Sequence, residues 1–383
     1  MPIFSIIAGV FVLLAILLDA FETTILPRRV QRGFRITSWF YRFTWRPWWK
    51  LAKQIKSKTR RETFLGYFGP LSLLFLLMVW AFGLIFGFAL LHWGAGEHVQ
   101  LGKEGVHFWT VLYLSGSTFF TIGFGDVLPT SGIERFLAVL EGGMGFAFLG
   151  IVIGYLPTIY SAFSKREIQI SLLDARAGSP PTAMELLLRV GKYPQDAGLD
   201  VILRDWEHWA AEVLESHISY PMLSYFRSQH SNQSWLGALT MILDSSALVI
   251  AGVDDIRPEQ AKLTFAMARH AVVDLTQVLN VRYQLAEVDR LPPEELNILR
   301  EKLAEKGVRV RNDAQFEQKL AYLRTQYEPY AQAIATRLFI TLPPWQHTEK
   351  KKDNWQAGPW DRIIQAKGLG RISRRASGGY DHF

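Results

Sequence analysis

The sequence predicts an all-α membrane protein, and three observations lead to that expectation. Three stretches within the first 165 residues are long and apolar enough to cross a bilayer. A block of twelve Lys/Arg without a single Asp or Glu lies between the first two, at residues 28–61. Beyond residue 166 the apolar positions recur with helical spacing and strand signals are few. The chain has no cysteine, which excludes disulfides, thiol catalysis and Cys-ligated zinc.

The first apolar stretch covers residues 3–18 and extends through 19–21. It has no positive n-region and no small-residue cleavage site, and its Lys/Arg come after it. This predicts a retained helix with its N-terminus outside rather than a signal peptide. The second stretch, residues 71–91, has 21 residues and no charge. At a rise of 1.5 Å per residue it spans roughly 30 Å, one hydrocarbon thickness. Pro70 stands where a first-turn proline is tolerated. The third stretch, about residues 136–160, is interrupted by Glu141.

Charge then sets the expected topology. The net charge is +7, but the basic block accounts for more than all of it, so the remaining chain is net acidic. The block is flanked by apolar spans, which favours a topology signal and membrane-surface contact over nucleic-acid binding. Residues 28–61 are expected in the cytoplasm. The loop 92–132, whose only Lys/Arg is Lys103, is expected outside, and residues 166–383 inside, at the plasma (inner) membrane. Within the block, Trp39, Phe40, Phe43, Trp45, Trp48 and Trp49 interleave with Arg42, Arg46, Lys50 and Lys53. That mixture suits the headgroup level, the plainer reading being a linker packed on its neighbours. Pro47 predicts that the segment is not one unbroken helix. Asp19 and Glu22 share a helical face and are expected to pair with Arg28, Arg29 or other nearby basic residues.

The loop between the second and third spans is too apolar for an external loop. Residues 108–119 (FWTVLYLSGSTF) read as a helix too short to span, hence re-entrant, leading into Thr121-Ile122-Gly123-Phe124-Gly125-Asp126. Alternate glycines open backbone conformations closed to other L-residues, so successive carbonyls can face one axis. Rings of carbonyls replace an ion's hydration shell without side-chain charge. Thr121 can add a hydroxyl, while Ile122 and Phe124 point away and brace the strand.

This hexapeptide resembles the filter signature of potassium channels, T-[VI]-G-[YF]-G-D. The similarity continues in Pro129, three residues after Asp126, in Arg135 at the start of the inner helix, and in Gly145 at the usual inner-helix hinge. The resemblance implies that Thr121, Ile122, Gly123, Phe124 and Gly125 supply the oxygens that coordinate permeant K⁺. It also implies that Tyr113 on the pore helix hydrogen-bonds Asp126 at the filter end. Phe120 departs from the family by replacing a small hydroxyl residue. Ser117 stands where some relatives carry a buried acid, and Phe124 replaces the commoner tyrosine, as in two-pore-domain channels. One filter per chain implies a homotetramer, since four pore loops must surround the ion. No span carries the repeating arginines of a voltage sensor.

In the third span, Glu141 and Gly145 are gating candidates. Glu141 is expected either to tune the filter from behind the pore helix or to hydrogen-bond Ser115, Ser117 or Thr118. Phe146, Leu149, Ile153 and Pro157 can face a central cavity or pack against lipid and neighbouring helices. Gly142, Gly143, Gly145, Gly150 and Gly154 permit bending and close packing. His98 and His107 lie in the outer loop.

The remaining chain divides into a helical cytoplasmic domain, 166–345, and a polar, basic, flexible tail, 346–383. The preceding units are an N-terminal span, 1–26, a basic aromatic linker, 27–66, and the pore domain, 67–165. In the cytoplasmic domain helices are expected over 182–190, 198–217, 234–251, 258–288, 294–306 and 313–340. Residues 236–252 are apolar but short and carry Asp244, which favours a core helix over a fourth span. No G-x-G-x-x-G or P-loop is present. Asp205, Glu207, His208, Glu212 and His217 match no strong metal spacing and read as a solvated face. The expected function is passive, potassium-selective conduction by a homotetramer in contact with membrane lipids. It involves no nucleic acid, no cofactor beyond the permeant ion and no enzymatic activity. A weakly selective cation pore and a pore-derived scaffold for a signalling domain are the alternatives.

Overall fold

The computed structural model describes residues 2–26, 35–96, 99–100, 107–190, 198–230, 232–284 and 289–347. The predicted tail beyond residue 347, His98, Lys103, Arg28 and Arg29 lie outside the described residues. The architecture is all-α. The β-structure among the described residues is one two-residue antiparallel pairing, β1 (Val99–Gln100) with β2 (Leu128–Pro129), and an isolated bridge between Val253 and Val310.

Helix α1 (Pro2–Thr24) lies along α4 (Phe68–Ala95). Glycines allow this close approach: a Cβ on Gly9 would stand 2.8 Å from the Gly87 carbonyl oxygen, and one on Gly87 would stand 2.8 Å from Leu13. Small residues at a membrane helix interface let dispersion act over a longer seam. Polar groups in the seam are satisfied locally, as in the Ser5 hydroxyl donating to the Leu90 carbonyl at 2.8 Å. Among the described residues, Asp19 meets neutral donors and not an arginine. It is fully buried and accepts from the Thr37 amide (3.1 Å), the Thr37 hydroxyl (2.6 Å) and Trp80 Nε1 (3.0 Å). A carboxyl group so buried costs less when hydrogen-bond donors fill its lone pairs. Glu22 takes the basic partner, with Arg35 at 3.6 Å.

The basic aromatic segment forms α2 (Ile36–Gln54) and α3 (Lys58–Gly66). Pro47 lies inside α2 without ending it, contrary to expectation. Anchors on either side hold the helix across the missing amide: Trp45 Nε1 donates to the Arg337 carbonyl at 2.8 Å, and Trp48 Nε1 to the Phe64 carbonyl at 3.2 Å. The segment has two faces. Tyr41 and Trp45 are buried against Phe68 and Tyr225, while Trp39 and Phe43 stay exposed.

Helix α5 (Phe108–Phe119) sits between α4 and α6 (Gly132–Ala177). Ser131 and Glu134 open α6 with reciprocal side-chain to backbone hydrogen bonds, a capping box. Its 46 residues run without interruption through Lys165 and Arg166, so one helix joins the pore region to the C-terminal helical domain.

That domain contains α7 (Ala183–Val190), α8 (Gly198–Ser219), a 3-10 turn (Pro221–Tyr225), α9 (Trp235–Gly252) and α10 (Glu259–Val278). Its last three helices are α11 (Pro293–Glu305), α12 (Ala314–Thr325) and α13 (Glu328–Leu338). Helix α10 ends before its predicted limit because Asn280 adopts left-handed backbone (φ 49°). The single helix expected over 313–340 breaks at Gln326–Tyr327, where Tyr327 buries its ring completely. Helix α9 is the centre of this domain and packs on α6, α7, α8, α10, α12 and α13. Its Asp244 accepts from Arg290 (2.6 Å) and the Tyr327 hydroxyl (2.5 Å), and Arg290 also reaches Glu328 at 3.0 Å.

Asp205, His208 and Glu212 on α8 are exposed as expected, but His217 is not. It is fully buried beside Trp235, with Nδ1 donating to the Val213 carbonyl at 2.8 Å. Its Nε2 lies 3.3 Å from Arg166 Nη1. Arg166 in turn donates to the carbonyls of Leu223 (3.0 Å) and Phe226 (2.8 Å). This cluster locks α6 to α8 and the 3-10 turn.

Candidate functional site

The twelve residues of α5 rise about 18 Å, too little to cross a bilayer, and the chain turns back after them. Three backbone hydrogen bonds close its end: Phe120 to the Gly116 carbonyl (3.1 Å), Thr121 to Thr118 (3.0 Å) and Ile122 to Ser117 (2.8 Å). From Thr121 to Gly125 the backbone alternates in hand. Thr121, Gly123 and Gly125 have φ of 55°, 62° and 79°, while Ile122 and Phe124 between them do not enter the positive region. Alternation of hand turns successive peptide planes so that carbonyls share a side, and glycine makes two of the three left-handed positions free of Cβ strain. Thr121 adopts the left-handed conformation without that relief.

The segment is held at its C-terminal end. The Tyr113 hydroxyl donates to Asp126 Oδ1 at 3.3 Å, as expected, and Arg135 Nε donates to the Pro129 carbonyl at 3.4 Å. His107 is exposed and stands at the N-cap of α5 without a side-chain capping bond.

Behind α5 lies a buried polar cluster. Ser115 donates to the Ile85 carbonyl at 2.7 Å and hydrogen-bonds Glu141. Of the three hydroxyls that could partner Glu141, Ser115 is therefore the one engaged. The second Glu141 oxygen lies 3.3 Å from His92 Nε2, and both side chains are fully buried. His92 is the residue that sequence reasoning missed. Its one signal is a histidine closing the apolar run of α4, and nothing in the pattern pairs it with an acid so distant in the chain. The cluster ties α4, α5 and α6 together at one level, where unpaired polar groups in hydrocarbon are costly.

Gly145 fits tightly against the end of α5. A Cβ there would overlap the Phe119 carbonyl oxygen. Helix α6 is continuous through this position, and the glycine allows its close approach to α5. Gly143, Gly150 and Gly154 have no atom within 4 Å of where a Cβ would be. Ile122, Phe124, Phe146, Leu149 and Ile153 are all exposed in the single chain, as are Ile133, Phe136 and Val139. A run of exposed apolar side chains on this scale marks a surface that lipid or protein covers.

Residues 74–161 match the model of a family described as ion channel. That range runs from α4 through α5 and the alternating segment into α6. Over 251 residues the chain is 23% identical to an uncharacterized membrane protein, YdjJ, of Bacillus subtilis, covering 64% of this chain and 71% of that one. No solved structure matches this chain. Taken with the helical architecture and the apolar helices, these matches identify the chain as an all-α membrane protein carrying an ion-channel domain at residues 74–161.

Proposed function

We propose that the chain is one subunit of a homotetrameric, potassium-selective channel that conducts passively, without enzymatic activity. The observation that supports this most is the alternating backbone of Thr121, Ile122, Gly123, Phe124 and Gly125 after a re-entrant helix. Carbonyls arranged along such a segment compensate the cost of stripping water from a cation, which would otherwise be prohibitive in a medium of low dielectric. Tyr113 and Asp126 hold the outer end, and the Ser115–Glu141–His92 cluster seats α5. Four copies are needed to complete carbonyl rings around an axis, and a closed ring joins each subunit head-to-tail to the next through two complementary patches. The exposed Ile122, Phe124 and α6 face would be covered in that assembly. The Lys/Arg distribution favours an N-terminus outside and a C-terminal helical domain in the cytoplasm.

The test is ion flux from purified protein in liposomes under opposed K⁺ and Na⁺ gradients, compared with Gly123→Asp. A reversal potential near that of K⁺, abolished by the substitution, is the expected result. Flux without K⁺ preference would replace this reading with a nonselective cation pore.

A further inference from the structure

A cavity of about 340 Å³ opens where α1 ends, between α2, the 3-10 turn, the C-terminus of α10 and α13. That volume falls within the range of small-molecule sites, roughly 300–1,000 Å³. Four arginines line it, Arg35, Arg42, Arg46 and Arg337, and among the described residues no Asp or Glu does. Arg35 is satisfied by Glu22 at 3.6 Å and by the Thr23 hydroxyl at 3.3 Å. Among the described residues, no carboxylate lies within ion-pair distance of Arg42, Arg46 or Arg337. Arg42 stacks 5.5 Å over the Trp39 ring, and Arg337 reaches the Tyr225 hydroxyl at 3.5 Å. Asn280, just past α10, adds an amide, while Met222 and Leu279 supply an apolar wall.

We infer that this cavity binds a phosphate group carried by an anionic ligand. Three cations that find no carboxylate among the described residues repel one another against low-dielectric walls, and the same field attracts an anion. Guanidinium groups present planar, paired donors that match phosphate oxygens. The cavity borders Thr23, at the end of the apolar run of α1, so a phospholipid headgroup reaches it with its acyl chains in the bilayer. A soluble phosphate reaches it from the aqueous side. Either ligand bridges the basic aromatic segment to the C-terminal domain, because Arg42 and Arg46 belong to α2 and Arg337 to α13. The inference concerns ligand binding and is independent of what the ion-channel domain conducts.

The experiment is a thermal shift on the full-length protein in detergent with three additives: short-chain phosphatidic acid, inorganic phosphate, and diacylglycerol with the same chains. Phosphatidic acid is expected to raise the midpoint by several degrees and diacylglycerol to leave it unchanged. A shift with inorganic phosphate as well identifies the free anion as sufficient. A shift with phosphatidic acid alone identifies the lipid headgroup. Arg46→Gln has no carboxylate partner to lose among the described residues and should weaken the apparent affinity about ten-fold, or about 1.4 kcal/mol. Arg60→Gln, an exposed basic residue outside the cavity, should leave it unchanged. The inference fails if diacylglycerol gives the same shift, if neither phosphate-bearing probe shifts the midpoint, or if Arg46→Gln retains full affinity.

Discussion

Helices α6 and α9 each contain a window long and apolar enough to cross a bilayer, yet 11% of the α6 window is buried inside the chain against 94% of the α9 window. The difference does not lie in composition. Helix α9 is covered on all sides by helices of its own domain, and its one acid, Asp244, finds Arg290 and Tyr327. Helix α6 leaves Phe136, Val139, Phe146 and Ile153 bare, and its buried acid Glu141 is met by Ser115 and His92 behind it. A helix apolar all round is a core helix or a membrane span, and what surrounds it decides which.

The largest expected effect breaks the α9 side of this comparison. Asp244→Ala leaves Arg290 buried without its closest partner, and removing one member of a buried pair costs roughly 3–5 kcal/mol. Thermal unfolding of the full-length protein should show a lower midpoint for the C-terminal domain. An unchanged midpoint would mean that α9 does not depend on its acid and that coverage by apolar neighbours alone holds it.

The second effect concerns the joint between the two regions. Burial first, and then the neighbouring Arg166 guanidinium, push the His217 pKa down to about 3. Glu167 at Arg166 and the Ser216 hydroxyl are the other polar groups around it. The unfolded chain takes up a proton near pH 6.5 that the folded chain refuses. Stability therefore falls as pH drops from about 6.5 towards 3, by up to about 1.4 kcal/mol per pH unit. Above that window the group contributes no pH dependence. Comparing the midpoint's pH slope in the native protein and in His217→Gln isolates this contribution from the carboxylates, and equal slopes would refute it.

On the α6 side, Gly145→Ala forces a methyl group onto the Phe119 carbonyl, and overpacking of this kind costs roughly 1–3 kcal/mol. Gly143→Ala meets nothing within 4 Å in the single chain and should stay within about 0.5 kcal/mol. Thermal midpoints of the two variants sharpen the contrast. A Gly143 variant as damaging as the Gly145 variant would show that this face of α6 is packed against a neighbouring subunit.

The long apolar helices, the short helix α5 and the all-α character of the C-terminal part were legible because each arises from apolar run length and 3.6-residue periodicity. The alternating segment was legible because glycines at fixed spacing open left-handed backbone that other residues avoid. What stayed hidden depends on contacts between distant positions. Nothing near Asp19 in sequence announces Trp80, nothing near Glu141 announces His92, and His217 reads as one polar residue among several until α6 delivers Arg166 to it. Pro47 misled for the same reason, since Trp45 and Trp48 are anchored on segments outside α2.

The smallest expected effect lies at the tip of the site. Tyr113 is partly exposed, and its 3.3 Å bond to Asp126 is longer than an ordinary hydroxyl–carboxylate hydrogen bond. Tyr113→Phe removes that bond while keeping the ring, so its cost should fall near the low end of the range for one hydrogen bond, about 0.5 kcal/mol. Global stability would scarcely register it. For the carbonyl filter proposed above, what matters is whether holding this short segment affects ion selection. The informative measurement is therefore the K⁺/Na⁺ permeability ratio in liposomes. A reduced ratio at unchanged thermal midpoint would show that the Tyr113–Asp126 contact acts on ion selection. An unchanged ratio would assign the holding of this segment to α5 and its buried Ser115–Glu141–His92 seat.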